Sequence, residues 1–201
     1  MAFLRSALVS EETPVLRGQG LTLRVPSLND YGQWAELRAI SREHLRPWEP
    51  EWARDELSQA TFRRRVRHYQ KDLREENSYA FLIIDTQSNT LVGGVTLFNI
   101  RRGVTQSVSI GYWIGLPHTR QGYMTRAVCL VADFVFKTLH LHRLEAACLA
   151  TNTGSIAVLR KNGFRHEGLA RKYLKINGKW QDHILFALLD EDYHRMGFGG
   201  E

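Results

Sequence analysis

Apolar and polar side chains alternate through residues 21–25, Leu-Thr-Leu-Arg-Val, and the run stops at Pro26, so a first strand is predicted there. Residues 27–30 carry helix-start chemistry, and Tyr31, Trp34, Leu37 and Ile40 recur behind them at helical spacing. The segment 45–52, Leu-Arg-Pro-Trp-Glu-Pro-Glu-Trp, reads as a loop stiffened by two prolines and made adhesive by two tryptophans. A long helix is predicted over about 55–77. It places Phe62, Val66, Tyr69 and Leu73 on one face and Arg63, Arg64, Arg65, Arg67 and Lys71 on the other.

The period then changes to two. Residues 79–85, 91–98 and 104–114 are rich in β-formers and separated by turn residues, which predicts consecutive antiparallel strands. Met124, Ala127, Val128, Val131, Phe134, Val135 and Thr138 mark an amphipathic helix opening near Arg120. A buried strand is expected at 144–149, a short helix at 152–162 stopped by Gly163, and extended chain at 164–170. Asn177-Gly178 between 173–176 and 180–188 is a strong hairpin signal, because Asn-Gly supplies the positive φ angles of a type I′ turn. Residues 196–201 read as a frayed end. The order β-α-α-β-β-β-α-β-α-β-β, with no repeat or linker, predicts one mixed α/β domain over 1–201 whose core spans about 20–190.

Composition narrows the class. At 201 residues, 43% hydrophobic and 24% charged, the chain has ordinary globular usage, which excludes fibrous and extensively disordered proteins. Its most apolar stretch, 127–141, is interrupted by Asp133, Lys137 and His140 and falls short of the roughly 20 residues a membrane span needs. The start of the chain turns acidic at Glu11 and Glu12, unlike a signal peptide. Cys129 and Cys148 lie in apolar segments without metal-like spacing and are expected as reduced core residues of a cytoplasmic protein. A net charge of +6 suits a nucleic acid, a ribosomal surface or a phosphate-bearing cofactor, and selects none of them. His140 and His142 have no matching carboxylate or cysteine set, so no metal site is expected.

Candidate chemistry concentrates at 109–126, where a strand runs through a short loop into a helix. Amides at such a helix start lack helical partners and attract an anion, Gly122 permits close approach, and Arg120 and Arg126 add positive charge. An ordinary strand–loop–helix connection has the same outline. Neither a Walker-type Gly-Lys-Ser/Thr nor a G-x-G-x-x-G occurs, which counts against nucleoside triphosphates and dinucleotides. The run Thr119-Arg120-Gln121-Gly122-Tyr123-Met124 resembles the Gln/Arg-x-x-Gly-x-Gly/Ala signature of the GNAT superfamily of acetyl-CoA-dependent N-acetyltransferases, departing from it at Thr119 and Met124. Asn152 and Ser155 match the family's Asn-x-x-Ser, and Asn162-Gly163-Phe164 its helix-ending Gly-Phe. The segments 44–50, 97–103, 142–146 and 173–183 bring the chain close to the RimJ type of ribosomal-protein alanine N-acetyltransferases.

The resemblance implies a GNAT fold whose fourth and fifth strands (104–114 and 144–149) splay apart. It implies acetyl-CoA as cosubstrate, without a metal. The pantetheine arm would pair with Tyr112, Trp113 and Ile114, and the pyrophosphate would lie on the amides of Gln121, Gly122, Tyr123, Met124 and Thr125, near Arg120. Asn152 would bond the pantetheine and Ser155 the thioester sulfur; a helix cap and a first-turn serine are the plainer readings of the two. The acceptor implied is the N-terminal alanine of a ribosomal protein.

Many family members protonate the leaving thiolate from a tyrosine four positions after Ser155, where this chain has Leu159. Ser155 is the substitute candidate, and a thiol of pKa about 8.5 needs little acid help. Ser107 and Ser109 stand where some relatives place a carboxylate base. An α-amine, with pKa about 7.7–8.0, is about one-third neutral near pH 7.5, whereas a lysine is almost wholly charged, so a site without a committed base suits an N-terminus. Glu49 (or Glu51), through water, is the candidate base. Trp48, Trp52 and Tyr173 are candidates to line the acceptor groove, with core packing as the alternative. The arginines at 63–67 suit either a solvated face or a contact with ribosomal RNA or acidic protein. A small-amine acetyltransferase and a ribosome-associated binding module are the competing functions.

Overall fold

The computed structural model describes residues 13–197, so the start of the chain and most of the expected frayed end lie outside the described residues. Eight strands, β1 (Val15–Gly18), β2 (Leu21–Arg24), β3 (Tyr79–Asp85), β4 (Thr90–Arg101), β5 (Ser107–Ile114), β6 (Arg143–Cys148), β7 (Arg165–Ile176) and β8 (Lys179–Leu189), form one sheet in the order β1-β2-β3-β4-β5-β6-β8-β7. Among the described residues six α-helices accompany them: α1 (Tyr31–Ile40), α2 (Arg42–Leu45), α3 (Gln59–Arg74), α4 (Tyr123–Asp133), α5 (Thr153–Lys161) and α6 (Asp190–Arg195). Strand β3 is nearly continuous in apolar residues because both of its faces are covered. On one side Trp34 and Leu37 of α1 and Phe62 and Val66 of α3 pack over Leu82, Ile84 and Leu91. On the other, Ala127, Val128 and Val131 of α4 pack over Leu23, Phe81, Ile83, Val95 and Leu144.

Neighbouring strands are antiparallel except β5 and β6, which run parallel because α4 carries the chain across between them. Their pairing lasts only from Ser107 opposite Arg143 to Ile110 opposite Ala146. Beyond that point β5 continues to Ile114 on β4, and β6 continues to Cys148 on β8, so the two diverge. This is the expected splay.

Several boundaries differ from the sequence pattern. A strand precedes the first one expected: β1 has no buried position, so little in its sequence marks it, and its structure comes from pairing with β2. Helix α3 begins at Gln59 because the Ser58 hydroxyl caps it, accepting the Thr61 N–H at 3.2 Å. On its polar face Arg65 is an exception, half-buried over the Trp34 ring and paired with Glu56. Helix α4 opens at Tyr123 and continues as a π-helical turn over Phe134–Thr138. The extended segment and first hairpin arm join into one strand, β7, broken by irregularities at His166/Gly168 and Ala170/Leu174. Cys148 is buried as expected, but Cys129 is only partly so, its sulfur accepting a bond from Gln19; both thiols are free. Among the described residues no helix is long and apolar enough to cross a membrane.

Candidate active site

The loop after β5 ends in a turn built by two left-handed residues, Arg120 (φ +60°) and Gly122 (φ +77°). Gly122 is the N-cap of α4 and offers no side-chain acceptor, and a Cβ there would point into open space. Among the described residues the N–H groups of Gln121, Gly122, Tyr123, Met124 and Thr125 therefore have no acceptor. The surrounding side chains are held back. Gln121 Nε2 donates to the Pro117 carbonyl, Tyr123 OH donates to Asp85, and Met124 is buried in the core. Arg126 lies over the Tyr123 ring and donates to the Gln19 carbonyl, while Arg120 is exposed. The turn presents backbone donors and the positive end of α4, as an anion site requires.

The splay opens into a cavity of about 160 Å³, lined among others by Trp48, Tyr112, Cys148, Asn152, Ser155 and His183. Asn152 caps α5, its Oδ1 accepting the Ser155 N–H at 3.0 Å, so the plainer reading of Asn152 describes its side-chain oxygen. That bond leaves the Asn152 amide NH₂ for another partner. Ser155 Oγ meets the hydroxyl of Tyr112 at 2.8 Å across the splay. Burial pushes the Tyr112 phenol above its ordinary range, with the Ser155 bond opposing only in part, and burial likewise raises the Cys148 thiol. Both therefore remain protonated at neutral pH. Leu159, where the family's usual tyrosine would stand, is fully buried in the core.

Strand alternation sends Tyr112 and Trp113 to opposite faces: Tyr112 packs against the α4 core, Trp113 against the α1/α3 core. Trp113 lines a second cavity of about 310 Å³ with Arg38, Glu49, Trp52, Arg65 and Tyr69. Here Glu49 is fully engaged. Arg38 donates to both of its oxygens, at 2.6 and 2.7 Å, and Trp52 Nε1 donates at 2.8 Å. Taking up a proton would cost Glu49 that ion pair. The Arg38 guanidinium is sandwiched between Trp52 (4.4 Å) and Trp113 (5.0 Å). Glu51 is exposed.

The candidate groove aromatics separate accordingly. Trp48 lines the splay cavity, and Tyr173 stands at its rim, exposed, with its ring 6.0 Å from that of His183. Trp52 belongs to the second cavity. The loop carrying Trp48 and Trp52 is tied to the hairpin tip, where Asn177 N–H donates to the Glu49 carbonyl at 2.9 Å. Two groups went unnoticed in the sequence: the Tyr112 side chain, expected only through its backbone, and His183. The alternation of Ile110, Tyr112 and Ile114 carried the first signal; a lone histidine in the apolar arm of the hairpin carried the second.

A sheet parted between parallel strands, with free amides heading the crossover helix, defines a class of acyl-coenzyme A-dependent transferases. Residues 20–165 match the family described as Acetyltransferase (GNAT) domain, and the chain belongs to it: it is a GNAT N-acetyltransferase. The probable N-acetyltransferase YjcK of Bacillus subtilis is 38% identical over 89% of this chain and 98% of its own. The structure of a ribosomal-protein-S5-alanine acetyltransferase from Vibrio fischeri superposes with a TM-score of 0.82 at 30% identity, covering 90% of this chain and 98% of its own. Mycobacterium smegmatis RimJ in complex with CoA-disulfide gives 0.83 at 31% identity, covering 94% of each chain.

Proposed function

We propose that this protein transfers the acetyl group of acetyl-CoA to the N-terminal α-amine of a ribosomal protein, with alanine as the first residue. The observation that carries the reading is the splay cavity, whose lining holds two paired hydroxyls and no carboxylate, lysine or arginine. Such a site has nothing to bind a polycation, and the chain's net charge of +6 argues the same way against polyamines and aminoglycosides. Its neutrality suits an amine that sheds its proton near pH 8. The similarity to relatives named for the alanine of ribosomal protein S5 supports this choice of acceptor.

In this reading the pyrophosphate rests on the amides of Gln121 to Thr125, with Arg120 beside them, and the pantetheine adds to the free edge of Tyr112, Trp113 and Ile114, assisted by Asn152. Attack by the neutral amine expels the coenzyme thiolate, and Ser155, backed by Tyr112, delivers a proton to the sulfur. Trp48 and Tyr173 flank the incoming peptide. The chain acts as one catalytic domain in the cytoplasm, where its two thiols stay reduced. Turnover of acetyl-CoA with an Ala-starting peptide, set against its N-blocked twin and against spermidine, tests the reading. Thiol release with the unblocked peptide alone is expected; equal release with spermidine would instead mark a small-amine enzyme, and none with any amine a binding module.

A further inference from the structure

With Glu49 held in an ion pair, the amine's proton needs another destination. The cavity supplies one. His183 on β8 is 3% exposed and lines the splay with Ser155 and Tyr112. Its Nδ1 lies 3.0 Å from the Gln181 carbonyl, and a carbonyl only accepts, so Nδ1 carries the hydrogen. In the tautomer this bond selects, Nε2 presents a lone pair. Nε2 has no partner among the described residues, yet it is not one of the fully enclosed orphan atoms, which are Arg38 Nε and Ser107 Oγ.

We propose that His183 Nε2 is the general base that takes the proton from the acceptor's α-ammonium. This rests on the acetyltransferase function proposed above and completes it. The ammonium gives one proton to Nε2, which passes it to water. The freed nitrogen lone pair forms the C–N bond, and the carbonyl electrons move to oxygen. As the C=O re-forms, the C–S bond breaks with its electron pair on sulfur. The second proton, released from the new amide nitrogen, ends on that sulfur through Ser155 and Tyr112. The ionisable groups facing His183 are Tyr112 from β5, Cys148 from β6 and Tyr173 from β7; Ser155 and Asn152 at α5 and Trp48 from the loop are neutral. Asp182, next in the chain, is occupied with the Lys172 N–H at 2.8 Å.

The test is the pH–rate profile of wild type, His183→Gln and His183→Asn with an Ala-starting peptide, alongside calorimetric binding of coenzyme A. Asn can still donate to the Gln181 carbonyl, which guards against loss of the local fold. At pH 6.5 the variants are expected to lose about 100-fold in kcat/KM, and the deficit should shrink as pH passes the amine's own value of about 8. Coenzyme affinity should stay unchanged, and a peptide that begins with aza-alanine, whose hydrazide-like terminal amine is neutral throughout, should erase most of the deficit. An active wild type whose variants lose the same factor at every pH, or lose nothing, overturns the role of His183 alone. A wild type that binds coenzyme A and acetylates no α-amine overturns the function, and this proposal with it.

Discussion

Tyr112 and Ser155 come from elements 43 positions apart and meet at 2.8 Å, so neither residue's own neighbours in the chain announce the pair. A serine hydroxyl alone is a weak acid; a buried phenol behind it keeps a proton in reserve at neutral pH. On the reaction proposed above the coenzyme thiolate leaves with little help, so the pair would be worth a modest factor. Tyr112→Phe and Ser155→Ala should each lower kcat about tenfold without moving the KM for acetyl-CoA. If the two act as the relay proposed above, the double variant should cost no more than the worse single one. Steady-state kinetics of the three variants checks this, and additive losses would mean separate roles. Leu159, on α5, is fully buried in the core, and the phenol that meets Ser155 comes instead from strand β5, which the local sequence around Ser155 does not show.

At the scale of elements, the loop between α2 and α3 is fixed at two points. Glu49 clamps its side chain on Arg38, and its carbonyl accepts from the hairpin tip. Breaking the largely buried ion pair leaves Arg38 uncompensated. Glu49→Gln should therefore destabilise by about 3 kcal/mol and lower Tm by about 6–12 °C. It should raise the peptide KM more than the coenzyme KM and leave the shape of the pH–rate profile intact; a lost acidic limb would restore Glu49 as the base. Calorimetry and kinetics on the one variant read all three. Elements whose signals are local were legible in the sequence: the capped helix α5, the Asn177-Gly178 hairpin, and the amide turn around Gly122. Strand β1 and helix α6 were not. The first exists through its partner β2, and the second is a six-residue helix whose acidic start and basic end complement its dipole while Tyr193 anchors it in the core.

Taken whole, the molecule rests some of its stability on carboxylates held ionised. Burial opposes the charge on Asp30, but bonds from Arg24 and Ser27 outweigh it and keep its carboxyl below the usual range. Arg143 does the same for Glu167. A carboxyl depressed in the folded state stabilises above its unfolded value of about 4, and that contribution is lost as pH falls through the folded value. Urea midpoints should fall steadily below about pH 5. Asp30→Asn should be less stable at pH 7 and show a shallower fall, as denaturation across pH would reveal. The mixed fold was foreseeable because it follows from element order, and the parted strands because the GNAT resemblance implied them. The coming together of Trp48, His183 and Ser155 was not, since it depends on β8 inserting between β6 and β7.

That insertion sets a timetable for synthesis. Among the described strands, the one that brings His183 and fills the gap beside β6 is the last in chain order, and the tip that seats the tryptophan loop comes just ahead of it. The amide turn around Gly122 therefore precedes, in the order of synthesis, the strand that completes the splay cavity. On the function proposed above, the coenzyme's seat is made before the amine's, and no acceptor finds its place until β8 has joined the sheet.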